Sequence, residues 1–260
     1  MLECVINVSE GRNHAIIDSL AHSCAGDLLD IHSDPDHNRS VFTMVGVDAP
    51  RALARAAVAA LNVNDHSGVH PRIGVVDVVP FVPLVDSTMH DARIARDEFA
   101  AWAAEELNVP CFLYGTEGTL PDIRKTAWAS LMPDFGSHVP HPTAGAMCVG
   151  VREPLVAYNL WLENVDLAAT RRIASAVRTA NIRTLGLQVG TFTQVSVNLI
   201  QPMIAGPNDV YEAVAQHATV HHAELVGLLP ASVLAVIPRA RWEDLDLSVE
   251  QTIEWRVTNR

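Results

Sequence analysis

Apolar positions recur along this chain with two periods, and the switches between them set an order of elements. Residues Glu3 to Val8 alternate as a strand, Asn13 is placed to cap a helix running to about Cys24, and Leu28 to His32 and Arg39 to Val47 read as two further strands. An alanine-rich helix from Pro50 to Leu61 and a buried strand from Gly74 to Val79 complete a βαββαβ series. The series then returns as strand Leu155 to Trp161, helix Asp166 to Ala180, strands Leu185 to Val189 and Gln194 to Ile200, helix Asn208 to His222 and strand Glu224 to Leu228. Between the two lie a long helix from Ser87 to Leu107, a short strand from Cys111 to Tyr114, and a glycine- and proline-rich loop from Met132 to Pro142. The pattern predicts an α/β (α+β) protein of two ferredoxin-like βαββαβ subdomains, residues 1–142 and 143–260, each a sheet layered with helices, and a ligand cleft between them.

Charge narrows the function classes. Eighteen basic residues against 30 acidic ones leave a formal charge of −12 in 260 residues, which disfavours a nucleic-acid partner. Lys125 is the only lysine, so a GK[ST] phosphate loop is absent and anion binding falls to arginine. No apolar run approaches the roughly 18 residues that cross a bilayer. The start, MLECVINVSEG, lacks the basic-then-apolar order of a secretory signal, so the expectation is a cytoplasmic protein with no membrane partner. Cys4, Cys24, Cys111 and Cys148 contain no CxxC pair and read as buried reduced thiols.

Four segments carry candidate chemistry. HSGVHPRIGVVDVVPFVP sets His66, His70 and Arg72 in a loop ahead of a strand. His70 reads either as a surface or capping histidine or as a general base, since an unperturbed imidazole titrates near ~6.5. The i, i+4 spacing of His66 and His70 matches a zinc pair only on a helix, which Gly68 and Pro71 oppose, so no metal is expected. HSDPDHNRSVFTMVG crowds Asp34, Asp36, His37, Asn38 and Arg39 into one turn. That is ordinary turn composition or, in a hydrolase reading, a set of metal ligands. Arg39 opens a strand, where a guanidinium meets a carboxylate in a bidentate pair or closes a salt bridge at a sheet edge. NVSEGRN, from Asn7 to Asn13, ends the first strand and carries Glu10 to the same edge. TAGAMCVGVREPLVAYN has Gly145 and Gly150 beside Arg152, which suits backbone approach to a ligand or close strand packing.

With these segments, and with EELNVPCFLYG, PDFG, QVSVNLI, VYEAV and AELVGLLP in the same order, the chain resembles the formiminotransferase domain of the glutamate formimidoyltransferase family. The resemblance implies a homodimer and transfer of a formimino group from N-formimino-L-glutamate to N5 of tetrahydrofolate, the folate being a co-substrate. The family's catalytic histidine, in its HPR motif, falls on His70. Its folate-contacting segment falls on Gly145, Ala146, Met147, Cys148, Val149, Gly150, Val151 and Arg152. On this reading Asn7, Glu10, Asn38, Arg39, Arg72 and Asp77 line the substrate site. Glu10 or Asp77 faces the cationic amidine, and Arg39, Arg72 and Arg152 hold carboxylates. Asn38 would supply an oxyanion hole if the donor were N-formylglutamate. Two stretches, near 116–132 and 178–187, are shorter than the family's pattern, which motivates a different expectation: a non-catalytic protein of the same fold that binds folate or carboxylates.

Overall fold

The structure, a computed structural model, describes residues 1–69 and 71–260. The expected catalytic residue, His70, lies outside the described residues. The chain divides into two compact units, Met1–Glu153 and Pro154–Arg260.

The first unit begins with strand β1 (Leu2–Val8), helix α1 (His14–Ser23), strands β2 (Leu28–Asp34) and β3 (Arg39–Val45), helix α2 (Asp48–Ala60) and strand β4 (Val76–Pro83). Helix α3 (Met89–Glu106), strand β5 (Cys111–Tyr114), helix α4 (Leu120–Thr126) and strand β6 (Met147–Val151) follow. Their sheet has the order β2-β3-β1-β4-β6-β5. The first four strands are antiparallel and take the 4-1-3-2 arrangement of a ferredoxin-like unit, while β6 is parallel to both β4 and β5. Asn13 caps α1 through its side chain, and Thr88 with Asp91 closes a reciprocal capping box on α3. On one sheet face Cys4, Ile6, Val8, Phe42, Met44, Val79 and Phe81 bury against the apolar sides of α1, α2 and α3. The opposite face has a smaller core of Val78, Phe112, Ile123, Ala146 and Cys148, sealed by α4, with Trp128 set edge-on to Phe112 at 5.1 Å.

One feature of this unit departs from expectation, and a second shapes its site. The boundary near Thr143 falls inside the first unit, because Met147–Val151 is not the start of a second subdomain but an interior strand of the first sheet. A β-bulge also interrupts the β1–β4 ladder, where Asn7 pairs with Val78 and Val8 with Val76. The residue left over is Asp77, and the bulge turns its side chain away from the helix-covered core.

The second unit repeats the arrangement with β7 (Val156–Leu162), α5 (Leu167–Ala176), β8 (Ile182–Val189), β9 (Phe192–Leu199), α6 (Pro207–Ala215) and β10 (Val220–Val226). The order β10-β7-β9-β8, antiparallel throughout, is again 4-1-3-2. Tyr158, Leu160, Val195, Val197 and Leu199 pack against Ile173, Val210 and Val214 of the helices. The helix expected to reach His222 ends at Ala215, since Val220 and His222 are drawn into pairing with Leu162 and Trp161. The tail adds α7 (Ala231–Ala235), whose Val233 and Leu234 join this core, and α8 (Ile253–Thr258), with Leu245 and Leu247 buried between them in sequence and the Tyr158 hydroxyl donating to the Leu245 carbonyl at 2.6 Å. Among the described residues no helix is long and apolar enough to cross a membrane.

Candidate active site

The turn after β1 is built around Asn38. This residue adopts a left-handed backbone conformation (φ 49°) that asparagine tolerates better than most side chains, and it is 8% exposed. Its Oδ1 accepts the Gly11 N–H at 2.9 Å, its Nδ2 donates to the Ser67 carbonyl at 3.1 Å, and its own carbonyl accepts from His66 Nε2 at 2.6 Å. One residue thereby ties together the loops at 9–13, 34–39 and 66–68. Glycine is required at two of the approaches: a Cβ on Gly11 would strike the Asp34 carbonyl, and one on Gly68 the His37 carbonyl.

The segment following His70 is held as firmly. Ile73 N–H donates to Asp77 Oδ1 at 2.8 Å, and the Ile73 carbonyl accepts from Ala146 N–H at 3.0 Å. Arg72 Nη2 donates to the Gly68 carbonyl at 3.0 Å. Gly74 and Gly145 pass so closely that they form an isolated bridge, and a side chain on Gly74 would meet the Ala146 carbonyl. His70 is thus flanked in sequence by two segments whose backbones are fixed by hydrogen bonds.

Charge gathers on the sheet face away from α1, α2 and α3. Asp77 is 2% exposed, and its Oδ2 accepts from Arg124 Nη2 at 2.6 Å. Arg39 and Arg72 lie near enough to feel the same carboxylate. Burial pushes the Arg39 guanidinium down to about 10; Asp77 and Asp34 oppose that shift, while Arg124 and Arg72 add to it. Arg72 is lowered by burial as well, with Asp77 opposing and Arg124 reinforcing. A guanidinium at about 10 remains charged at neutral pH, so the region is a positive spot in an acidic molecule. Arg124 is a further member of this cluster, beyond the residues the sequence singles out. Its motif, LPDIR, gave no sign that the short helix α4 would set it against Asp77.

The other expected site residues fall as follows. Asn7 is on the same sheet face as Asp77, half-buried opposite Val41. Glu10 spends Oε1 on the Arg12 and Asn13 N–H groups at 2.7 and 2.9 Å, which is work in the turn leading into α1. Asp34 likewise accepts the N–H groups of Asp36 and His37, each at 2.8 Å, so this acidic stretch folds as a turn. Residues Gly145 to Val151 are buried, and along Met147–Val151 the strand is paired on both sides. Their glycines answer to packing: a Cβ on Gly150 would enter the Tyr114 ring. Arg152, half-buried at the strand end, is the one member of that segment with an accessible side chain.

Two measurements check this description. All four cysteines are free and buried, with burial raising every thiol: Cys24 to about 11, Cys111 to about 12, Cys4 and Cys148 also upward. Reaction with a thiol reagent at pH 8 is therefore expected only after denaturation. Fast labelling of any native cysteine would contradict the packing. For His66, a carbonyl only accepts, so Nε2 carries the proton. Nδ1 is buried without a hydrogen-bond partner among the described residues. Burial depresses its pKa below 6.5, the Asn38 bond opposing, so the unfolded chain takes up the proton first as pH falls. His66 contributes stability above the unfolded value of ~6.5, and that contribution is lost as pH drops through it toward the folded value. Nitrogen NMR of the ring is expected to show the Nε2–H tautomer with a midpoint below ~6.5; a midpoint at or above it would refute the assignment.

Comparison with known proteins adds a decisive observation. A family model described as the formiminotransferase domain, N-terminal subdomain, matches residues 1–152. The chain belongs to the formiminotransferase family. Within that family it is 34% identical to the glutamate formimidoyltransferase of Streptococcus pyogenes serotype M1, covering 90% of each chain. It is also 34% identical to the glutamate formimidoyltransferase of Thermoplasma acidophilum, over 90% of this chain and 89% of the relative. The formimidoyltransferase-cyclodeaminase of Sus scrofa is 33% identical over 90% of this chain, which spans 51% of that longer relative. The family match ends at 152, close to where the first compact unit ends.

Proposed function

We propose that this chain is a glutamate formimidoyltransferase that moves the formimino group of N-formimino-L-glutamate to N5 of tetrahydrofolate, a step of histidine degradation that feeds one-carbon metabolism. The observation carrying this reading is 34% identity to two glutamate formimidoyltransferases across about 90% of all three chains. In the reaction the N5 lone pair attacks the amidine carbon, forming the new C–N bond. His70 accepts the N5 proton as the tetrahedral intermediate forms and returns it to the departing amine as the old C–N bond breaks. The products are L-glutamate and 5-formiminotetrahydrofolate, with the imidazole restored. Arg39 and Arg72 receive donor carboxylates, and Arg152 meets the carboxylate tail of the folate. Asn7, Glu10 and Asn38 shape the donor wall, and Gly145 to Val151 form a rigid floor beneath Ile73 and Gly74. Tetrahydrofolate is a co-substrate, no metal enters the chemistry, and the working form is a cytoplasmic homodimer.

The donor is formimino rather than formyl because the relatives that match over about 90% of this chain are named for formimidoyl transfer; Asn38 spends its Oδ1 on Gly11 and one Nδ2 hydrogen on Ser67, which suits a loop-tying role. The test incubates purified protein with tetrahydrofolate and either formiminoglutamate or formylglutamate, following folate product after acid conversion to the methenyl form. Turnover with the formimino donor, undiminished by a chelator, is expected. Folate binding without turnover from either donor would favour the non-catalytic reading.

A further inference from the structure

Asp77 and its arginines pose a question of charge partition. Asp77 has two oxygens, and both are engaged: Oδ1 by the Ile73 N–H and Oδ2 by Arg124. The Arg39 side chain, half-buried at the start of β3, is near that carboxylate yet makes no hydrogen bond or ion pair of its own among the described residues. A half-buried guanidinium that has no internal carboxylate partner and still reaches solvent is open to an incoming anion, whereas one already paired with an internal carboxylate is not. Whichever arginine holds Asp77 therefore decides which arginine is left for a ligand.

We propose that Arg124 is a specificity-determining positioning residue: by occupying Asp77 from helix α4, it leaves Arg39 uncompensated as the receptor for a carboxylate of the donor's glutamyl group. This rests on the function proposed above and adds to it a residue that need not touch the substrate. Without Arg124, Asp77 becomes an unpaired buried carboxylate beside Arg39, and the two collapse together as an intramolecular pair that competes with any incoming carboxylate. Removing the Asp77 charge at the same time abolishes the competitor. The position is suited to this role because α4 is anchored independently, by Ile123 in the small core and by the Thr119 cap.

The test uses the full chain and two readouts, calorimetric binding of L-glutamate and KM for formiminoglutamate. Arg124→Gln is expected to weaken L-glutamate and raise the donor KM by about 10- to 100-fold, the loss of one charge-assisted pair, while tetrahydrofolate affinity stays within about threefold. Asp77→Asn combined with Arg124→Gln keeps the Oδ1 acceptor for Ile73 and is expected to recover most of the glutamate affinity. A purely structural role for Arg124 predicts the reverse, a double variant worse than the single one. Arg124→Lys, which preserves the charge on Asp77, is expected to bind glutamate within a few-fold of the parent and serves if the glutamine variant does not fold. Unchanged glutamate binding in folded Arg124→Gln, no recovery in a folded double variant, or lost binding in folded Arg124→Lys would each overturn the proposal. A parent that binds glutamate but does not turn over formiminoglutamate would instead sink the donor assignment while leaving the carboxylate site to be judged by the variants. A parent that does neither overturns both.

Discussion

His70→Ala, assayed with formiminoglutamate and tetrahydrofolate, is expected to lower kcat by about 10²- to 10⁴-fold, the range a positioned general base supplies. Two features make the variant informative. The flanking backbone has its own anchors, Asn38 on the Ser67 carbonyl before position 70 and Asp77 on the Ile73 N–H after it. The substitution should therefore leave thermal stability and glutamate binding close to those of the parent, so that a loss of rate reports on proton transfer and not on misfolding. The N5 proton must also leave for the new bond to persist, and the departing glutamate nitrogen must gain one, so a single group serving both steps affects kcat more than KM. Retention of more than a tenth of parental kcat would mean that another group, or water, carries the proton.

The second large effect is expected at Gly145. Its φ of 72° lies in the left-handed region, and a Cβ there would meet the Ile73 carbonyl, with the Gly74 Cα only 2.9 Å away. Alanine in that conformation costs about 1 to 2 kcal/mol before any contact is counted, and the obstructing atoms are backbone that cannot rotate aside. Gly145→Ala should lose about 2 kcal/mol or more in urea unfolding, and kcat should fall with it, because Ile73 and Gly74 are displaced just beyond position 70. Gly118→Ala is the matched control: nothing lies within 4 Å of the Cβ it would carry, and no measurable loss is expected. A Gly145→Ala protein as stable and active as that control would show that the Gly74–Gly145 contact does not brace the site.

The two βαββαβ series could be read from the sequence because their signals are local. Strand alternation, the Asn13 cap and the glycine breaks each act within a few residues, and both units have the expected βαββαβ succession of elements. Strand β6 was not legible as part of the first sheet, since MCVGV is equally apolar in any buried setting and its partners, β4 and β5, are far away in the chain. The same limit applies to the site. Arg39, Arg72 and Asp77 were visible as candidate residue types in suggestive loops, but a carboxylate facing an amidinium and one locked to Arg124 look identical in sequence. The bulge that turns Asp77 toward α4 is a property of ladder register, and register emerges only when two strands meet.

The placement of β6 has a consequence for how the protein is made. Strands β1 to β4 can pair once Pro83 has left the ribosome, yet β4 keeps one edge open throughout the synthesis of residues 84–146, and β5 has no neighbour until β6 slides between them. Closing that gap requires a distant, parallel insertion, which makes it the slow step of the first unit and the interval in which nascent chains are most exposed to edge-to-edge aggregation. The same late stretch delivers Arg124 to Asp77 and Gly145 to Gly74. Both residues precede β6 in the chain, so a chain halted before Met147 would already carry the groups for charge partition and loop bracing while still exposing the sticky edge of β4.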